Sequence, residues 1–295
     1  MNQATTLQKM MDRADSKTRA KRPKAPGTSP RVICVTSGKG GVGKTNIVTN
    51  LAYALARQGR KVLVLDADLN LANVDVLLGI TPRYNLHHVL LGEKSLPEIL
   101  VEGPGGFRIL PASSGIIELA SLTESQKLYF MAEMETVGDK IDIMLVDTGA
   151  GINDNVVYFN LAAQERVIVL TPEPTSLTDA YALIKVLSGR HDVKRFRILV
   201  NNAESEKEAL AVFRKLSIVA DRFLSSISLD LLGFIPYDPK LPKAVRSQKL
   251  VSELFPDAES SRMFRTLSTK LIAEKPDQHS DGNIKFFWQG LLDLS

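Results

Sequence analysis

From residue 35 to residue 52 the chain reads VTSGKGGVGKTNIVTNLA, with four glycines and two lysines in the seven positions Gly38 to Lys44. Gly38, Gly43, Lys44 and Thr45 satisfy the phosphate-loop spacing G-x-x-x-x-G-K-[ST], and the apolar run VICV stands just upstream. Glycines lack a Cβ, so successive N–H groups of Gly40, Gly41, Val42 and Gly43 are free to turn toward one anion. A helix starting through Thr45 and Asn46 adds unpaired N–H groups and a positive dipole end. In such a loop the Lys44 ammonium reaches the β- and γ-phosphates of a nucleotide, and the Thr45 hydroxyl ligates Mg²⁺. Lys39 is surplus to this pattern. The plain alternative, a glycine-rich turn that matches by accident, does not account for strand, loop and helix in register.

Acids fall where that chemistry needs them. KVLVLDAD ends in Asp66 and Asp68, and DIMLVDTGAG carries Asp147 followed by two glycines. In an open parallel sheet, ligand groups gather at the carboxyl ends of strands. Asp147 is thus placed to hold Mg²⁺ through water, with Gly149 and Gly151 letting its loop follow the γ-phosphate. One such aspartate alone would read as a helix cap; two strand ends downstream of a phosphate loop favour the metal. Asn201 and Asn202 close RILVNNA, and GFIPYDPKLPKAV carries Pro236 and Asp238, but Asn and Pro are also ordinary turn formers. His87 and His88 adjoin, so their side chains diverge, and no third ligand is near; metal binding is not expected of them.

The elements that must position these residues follow from the apolar pattern. RVICVT, KVLVLD, FRILPA, DIMLVD, RVIVLT, RFRILV and LLGFIP are spaced for crossover helices, and several are continuously apolar, as strands buried on both faces are. Between the first two, TNIVTNLAYALARQG puts Ile47, Leu51 and Leu55 on one helical face, with Gly59 as C-terminal cap. The expected fold is α/β: a doubly wound, mainly parallel sheet with helices on both faces.

The chain has 295 residues, 44% hydrophobic and 24% charged, which suits one sizeable core. No run of eighteen apolar residues and no signal-peptide core is present, so a cytoplasmic protein is expected. The lone Cys34 lies inside the first apolar run. It reads as a core residue. Residues 1–31 hold eight Lys or Arg against Asp12 and Asp15, so the excess positive charge belongs to a tail and the remainder is slightly acidic. DNA binding is therefore not the expected use of the high pI. The layout reads as a flexible basic tail (1–30), a nucleotide-binding domain (31–273), a linker (274–283) and a C-terminal helix (284–295). In that helix Ile284, Phe287, Trp288 and Leu291 form one apolar stripe. Twelve residues span about 18 Å, against roughly 30 Å of bilayer hydrocarbon, so it would lie on a membrane or dock on the protein, not cross.

KGGVGKT resembles the deviant Walker A box of the MinD/ParA class of ATPases. The resemblance implies a Mg²⁺-dependent ATP hydrolase that forms an ATP-sandwiched homodimer, with Lys39 crossing into the partner's site. It further implies that Asp68 positions the attacking water, Asp66 lies nearer the magnesium shell, and Asn201 with Pro236 and Asp238 contacts adenine. The single cysteine sets the chain apart from relatives that share GKGGVGK but carry iron–sulfur clusters. DADLNLANVDVLLGI and DTGAGI are similar to the FlhG (FleN) branch of flagellar-number regulators, with Asn70 departing from the usual Gly. The opening NQATTLQKM resembles that branch's D-Q-A-x-x-L-R element at Gln3, Ala4 and Leu7, but has Asn2 and Gln8 in place of Asp and Arg. Implied partners are an FlhF-type signal-recognition GTPase, the inner membrane surface through the C-terminal helix, and flagellar switch-complex proteins or a transcription regulator. The alternatives are a ParA-type DNA partition ATPase and a MinD-type division-site regulator; an interaction module with a dead nucleotide site fits poorly with intact Lys44, Asp68 and Asp147.

Overall fold

The computed structural model describes residues 30–68, 74–111, 123–138, 140–224 and 227–274. Its strands are β1 (Arg31–Ser37), β2 (Val62–Ala67), β3 (Val101–Glu102), β4 (Arg108–Pro111), β5 (Ile143–Ala150), β6 (Glu165–Leu170), β7 (Arg195–Ala203) and β8 (Ser228–Pro236). They form one sheet in the order β3-β4-β2-β5-β1-β6-β7-β8, parallel throughout except for β3 against β4. All seven apolar runs become strands. Every residue of β1 and β2 is buried, which is why neither alternates in polarity, whereas the edge strand β8 does face solvent in part.

The helices are α1 (Lys44–Arg57), α2 (Val74–Leu78), α3 (Leu86–Leu90), α4 (Leu96–Ile99), α5 (Glu124–Gly138), α6 (Asp154–Ala162), α7 (Pro174–His191), α8 (Glu206–Phe223), α9 (Lys240–Arg246), α10 (Val251–Leu254) and α11 (Glu259–Ala273). Alternate residues of the strands feed opposite faces. Ile33, Val35, Val64 and Leu145 pack under α1 and α11 through Ile47, Leu51, Leu55, Phe264 and Leu267. Cys34, Leu63, Leu65 and Val146 pack on the other face, with Phe130 and Phe159 of α5 and α6, and α7 and α8 extend that layer over β6 and β7. A fully buried phenylalanine such as Phe159 contributes about 2–3 kcal/mol relative to exposure. α1 ends as expected: Gly59 has φ +82, and the Arg60 N–H bonds the Leu55 carbonyl at 3.1 Å.

Connections from β1 and β5 leave toward opposite sides of the sheet, so the carboxyl ends of these two strands form the crevice in which such sheets bind ligands. At the other end of β1, Arg31 pairs with Glu165 and donates to the carbonyls of Leu271 and Glu274, while Arg197 joins Glu165 to the Glu274 carboxylate. The sheet is thus fastened to the end of α11 away from the phosphate loop. Among the described residues no helix is long and apolar enough to cross a membrane. The basic tail, Asn70, the linker beyond Glu274 and the 284–295 stripe lie outside the described residues.

Candidate nucleotide site

The loop after β1 is shaped by what surrounds it. A Cβ on Gly38 would stand 2.1 Å from the Asp179 carbonyl oxygen, so only glycine lets the loop pass this close to the backbone of α7. Gly43 has φ +93 and starts α1 without any side-chain cap, and the first turn of α1 holds no acid. Its leading N–H groups are therefore left for an external anion. Lys44 is buried, and its Nζ donates to Ser37 Oγ at 2.8 Å, which in turn donates to the Lys39 carbonyl at 2.7 Å. Burial lowers the proton affinity of Lys44, while Asp147 and Asp68 pull it back up. A cation held out of water beside two carboxylates is ready for phosphate oxygens.

Asp66 and Asp147 are register partners on β2 and β5. Both Asp147 oxygens are buried with no donor in hydrogen-bonding geometry. Burial pushes its carboxyl up to about 7, and the nearby Thr45 hydroxyl is the largest influence opposing that rise. An orphaned buried carboxylate next to a hydroxyl fits Mg²⁺. Among the described residues no group of three or more His, Cys, Asp or Glu could hold a metal alone, as suits an ion that takes most ligands from phosphate and water.

Asp66 also has a structural occupation. Its Oδ2 accepts the Val74 N–H at 3.2 Å and its Oδ1 the Asp68 N–H at 3.4 Å, so the carboxylate holds the start of α2 and the turn at Asp68. Each oxygen keeps a further lone pair for a magnesium-bound water. Burial raises its carboxyl to about 6. Asp68 faces the loop after Asp147: a Cβ on Gly149 would lie 3.5 Å from its Oδ1.

Lys39 is held by two residues the sequence reading passed over. Its Nζ donates to Glu173 Oε2 at 2.6 Å and Thr175 Oγ1 at 3.0 Å, at the start of α7. Glu173 follows β6 as Asp68 follows β2, so the strand-end rule would have found it. The adenine candidates are also engaged within the protein. Asn201 Nδ2 donates to the Val42 carbonyl at 2.7 Å and so braces the phosphate loop, leaving its Oδ1 and second N–H for a base. Buried Asp238 accepts from Ser260 N–H at 3.1 Å, Ser260 Oγ at 2.8 Å and the Lys240 N–H at 2.9 Å. That carboxylate shapes the segment after Pro236. His88 Nδ1 turns back to Asn85 at the start of α3.

A doubly wound sheet with this loop at its switch point defines a P-loop nucleotide hydrolase. A family model described as "ParA: NUBPL iron-transfer P-loop NTPase" matches residues 29–272. The antiactivator FleN of Pseudomonas aeruginosa is 47% identical over 262 residues, 89% of this chain and 93% of its own. The flagellum site-determining protein YlxH of Helicobacter pylori is 37% identical over 244 residues, 83% of this chain and 82% of its own. The septum site-determining protein MinD of Pyrococcus horikoshii, solved with Mg-ADP, superposes with a TM-score of 0.63 at 25% identity, covering 82% of this chain and 96% of that one. The chain belongs to the MinD/ParA family of P-loop ATPases with a deviant Walker A box, and is closely related to the FleN/FlhG branch. It is an ATP hydrolase, and Mg-ATP is its cofactor. The iron transfer named in the family description finds no thiol set here: the sequence has one cysteine, Cys34, wholly buried, with its thiol pushed far up by burial.

Proposed function

We propose that this ATPase is an FlhG-type regulator of flagellar number or placement, switched by an ATP-dependent homodimer that binds membrane reversibly. The observation that carries the reading is 47% identity to FleN over 89% of the chain, together with intact Lys39, Lys44, Asp68 and Asp147. Lys44 and the N–H groups of the loop and α1 bind the phosphates. Thr45 and Asp147 hold Mg²⁺, which offsets charge on the transferring phosphoryl group when bound. Asp68 orients water for in-line attack. Asp66 keeps Asp68 in place by anchoring the turn and α2.

Lys39 acts in trans. Its present partner, Glu173, has a side chain 61% exposed, and an ion pair of that kind contributes about 1 kcal/mol or less. A dimer therefore takes the lysine at small cost. The stripe of Ile284, Phe287, Trp288 and Leu291 supplies a weak membrane anchor that a dimer doubles, keeping a cytoplasmic protein at the inner membrane face while ATP is bound. The N-terminal element addresses an FlhF-type GTPase; flagellar switch-complex proteins or a transcription regulator are further partners.

The test is the ATPase rate with and without anionic liposomes, an FlhF-type GTPase, and double-stranded DNA. The proposal expects stimulation by liposomes, and faster GTP turnover by the GTPase when this protein is added. Stimulation by DNA alone would instead support a partition ATPase.

A further inference from the structure

Among the described residues, three non-glycines have left-handed backbone: Asp192, Asn202 and Gln248. Asp and Asn tolerate that region through short polar side chains, whereas Gln does not share the advantage. Gln248, at φ +51, closes α9: its N–H bonds the Val245 carbonyl at 2.9 Å, and the Lys249 N–H bonds Ala244 at 3.0 Å. Glycine is the usual choice at such a cap. The side chain has another occupation. Its Nε2 donates at 2.9 Å to the carbonyl of Val76, 172 residues away, at the end of α2.

The receiving end is shaped to match. α2 closes on Gly79, φ +63, with the Gly79 N–H on Val76 and the Ile80 N–H on the Asp75 carbonyl at 2.9 Å. A Cβ on Gly79 would come within 3.1–3.3 Å of Gln248 side-chain atoms. Two left-handed caps thus touch, glycine on one and glutamine on the other, and the amide donor shares the Val76 carbonyl with the Gly79 N–H. The opposite end of α2 is held by Asp66 through the Val74 N–H. α9 itself begins just after Pro236 and Asp238, the segment expected beside the base.

We infer that Gln248 is a positioning residue: it latches the far end of α2, so that the segment bearing Asp68 is framed between Asp66 and α9. A shift of α9 would thereby reach α2 through Gln248 and Asp68 through Asp66. This rests on the assignment of Asp68 to hydrolysis.

The experiment compares Gln248→Gly, Gln248→Ala and Asp68→Ala with the wild-type chain. Glycine suits φ +51, so Gln248→Gly should melt no lower than wild type while losing the latch. Loss of one hydrogen bond that acts on the reacting arrangement should lower kcat about fivefold in both Gln248 variants, with ADP affinity within about twofold. Amide exchange of Gly79 and Ile80 should quicken. A merely structural residue would change melting and leave kcat alone. Unchanged kcat in Gln248→Gly, with Asp68→Ala inactive, would overturn the latch alone; wild-type turnover by Asp68→Ala would remove the reading beneath it as well.

Discussion

Asp147 sets the pH behaviour of the nucleotide-free protein. Burial lifts its carboxyl from 3.8 to about 7, so the folded state holds a proton that the unfolded chain has released. Stability tied to that proton is complete below about pH 3.8 and is lost as pH rises through about 7. Asp66, raised by burial to about 6, works in the same direction. The protein without nucleotide should therefore melt lower at pH 8 than at pH 6. Asp147→Asn should flatten that difference, raise the melting temperature at pH 8 and abolish ATP hydrolysis; calorimetry at both pH values checks this, and an unchanged difference contradicts it. In the proposed mechanism Asp68 acts in hydrolysis and not in phosphate binding. Asp68→Ala should keep ATP affinity within about threefold while turnover falls by about 10²–10⁴, measured by phosphate release.

Between β1 and α7 the separation is fixed by one missing methyl. Gly38→Ala would drive a Cβ into the Asp179 carbonyl, so the loop or the helix must shift, at about 1–3 kcal/mol or more, and ATP affinity should fall with the melting temperature. Normal affinity at a lowered melting temperature would mean the loop tolerates the shift. Elements of this kind were legible in sequence because they are locally coded. Central strands buried on both faces must be apolar, and the phosphate loop must be glycine-rich. The two residues of β3 are too few to show any period. Side-chain commitments were not legible, since they join residues far apart: Lys39 to Glu173 across 134 positions, Asn201 to Val42 across 159, Gln248 to Val76 across 172. Asp238 shows the same limit: its buried partner Ser260 lies on α11, and no spacing rule links the two.

On the scale of the molecule, the phosphate loop and the last described residue, Glu274, lie toward opposite ends of β1. β1 starts at Arg31, tied to Leu271 and Glu274, and ends beside the phosphate loop, about 23 Å away for seven residues. In the proposed function, dimerisation lets ATP control the membrane anchor by making two anchors act together. Phe287→Glu should abolish liposome co-sedimentation in MgATP while leaving dimerisation intact; retained co-sedimentation would remove the stripe from the account. The trans role of Lys39 is the central claim. Static light scattering of Asp68→Ala and of the Lys39→Ala/Asp68→Ala double variant, each in MgADP and in MgATP, tests it most directly. A mass near twice 32.4 kDa is expected only for Asp68→Ala in MgATP. A double variant that dimerises equally well with ATP would contradict it.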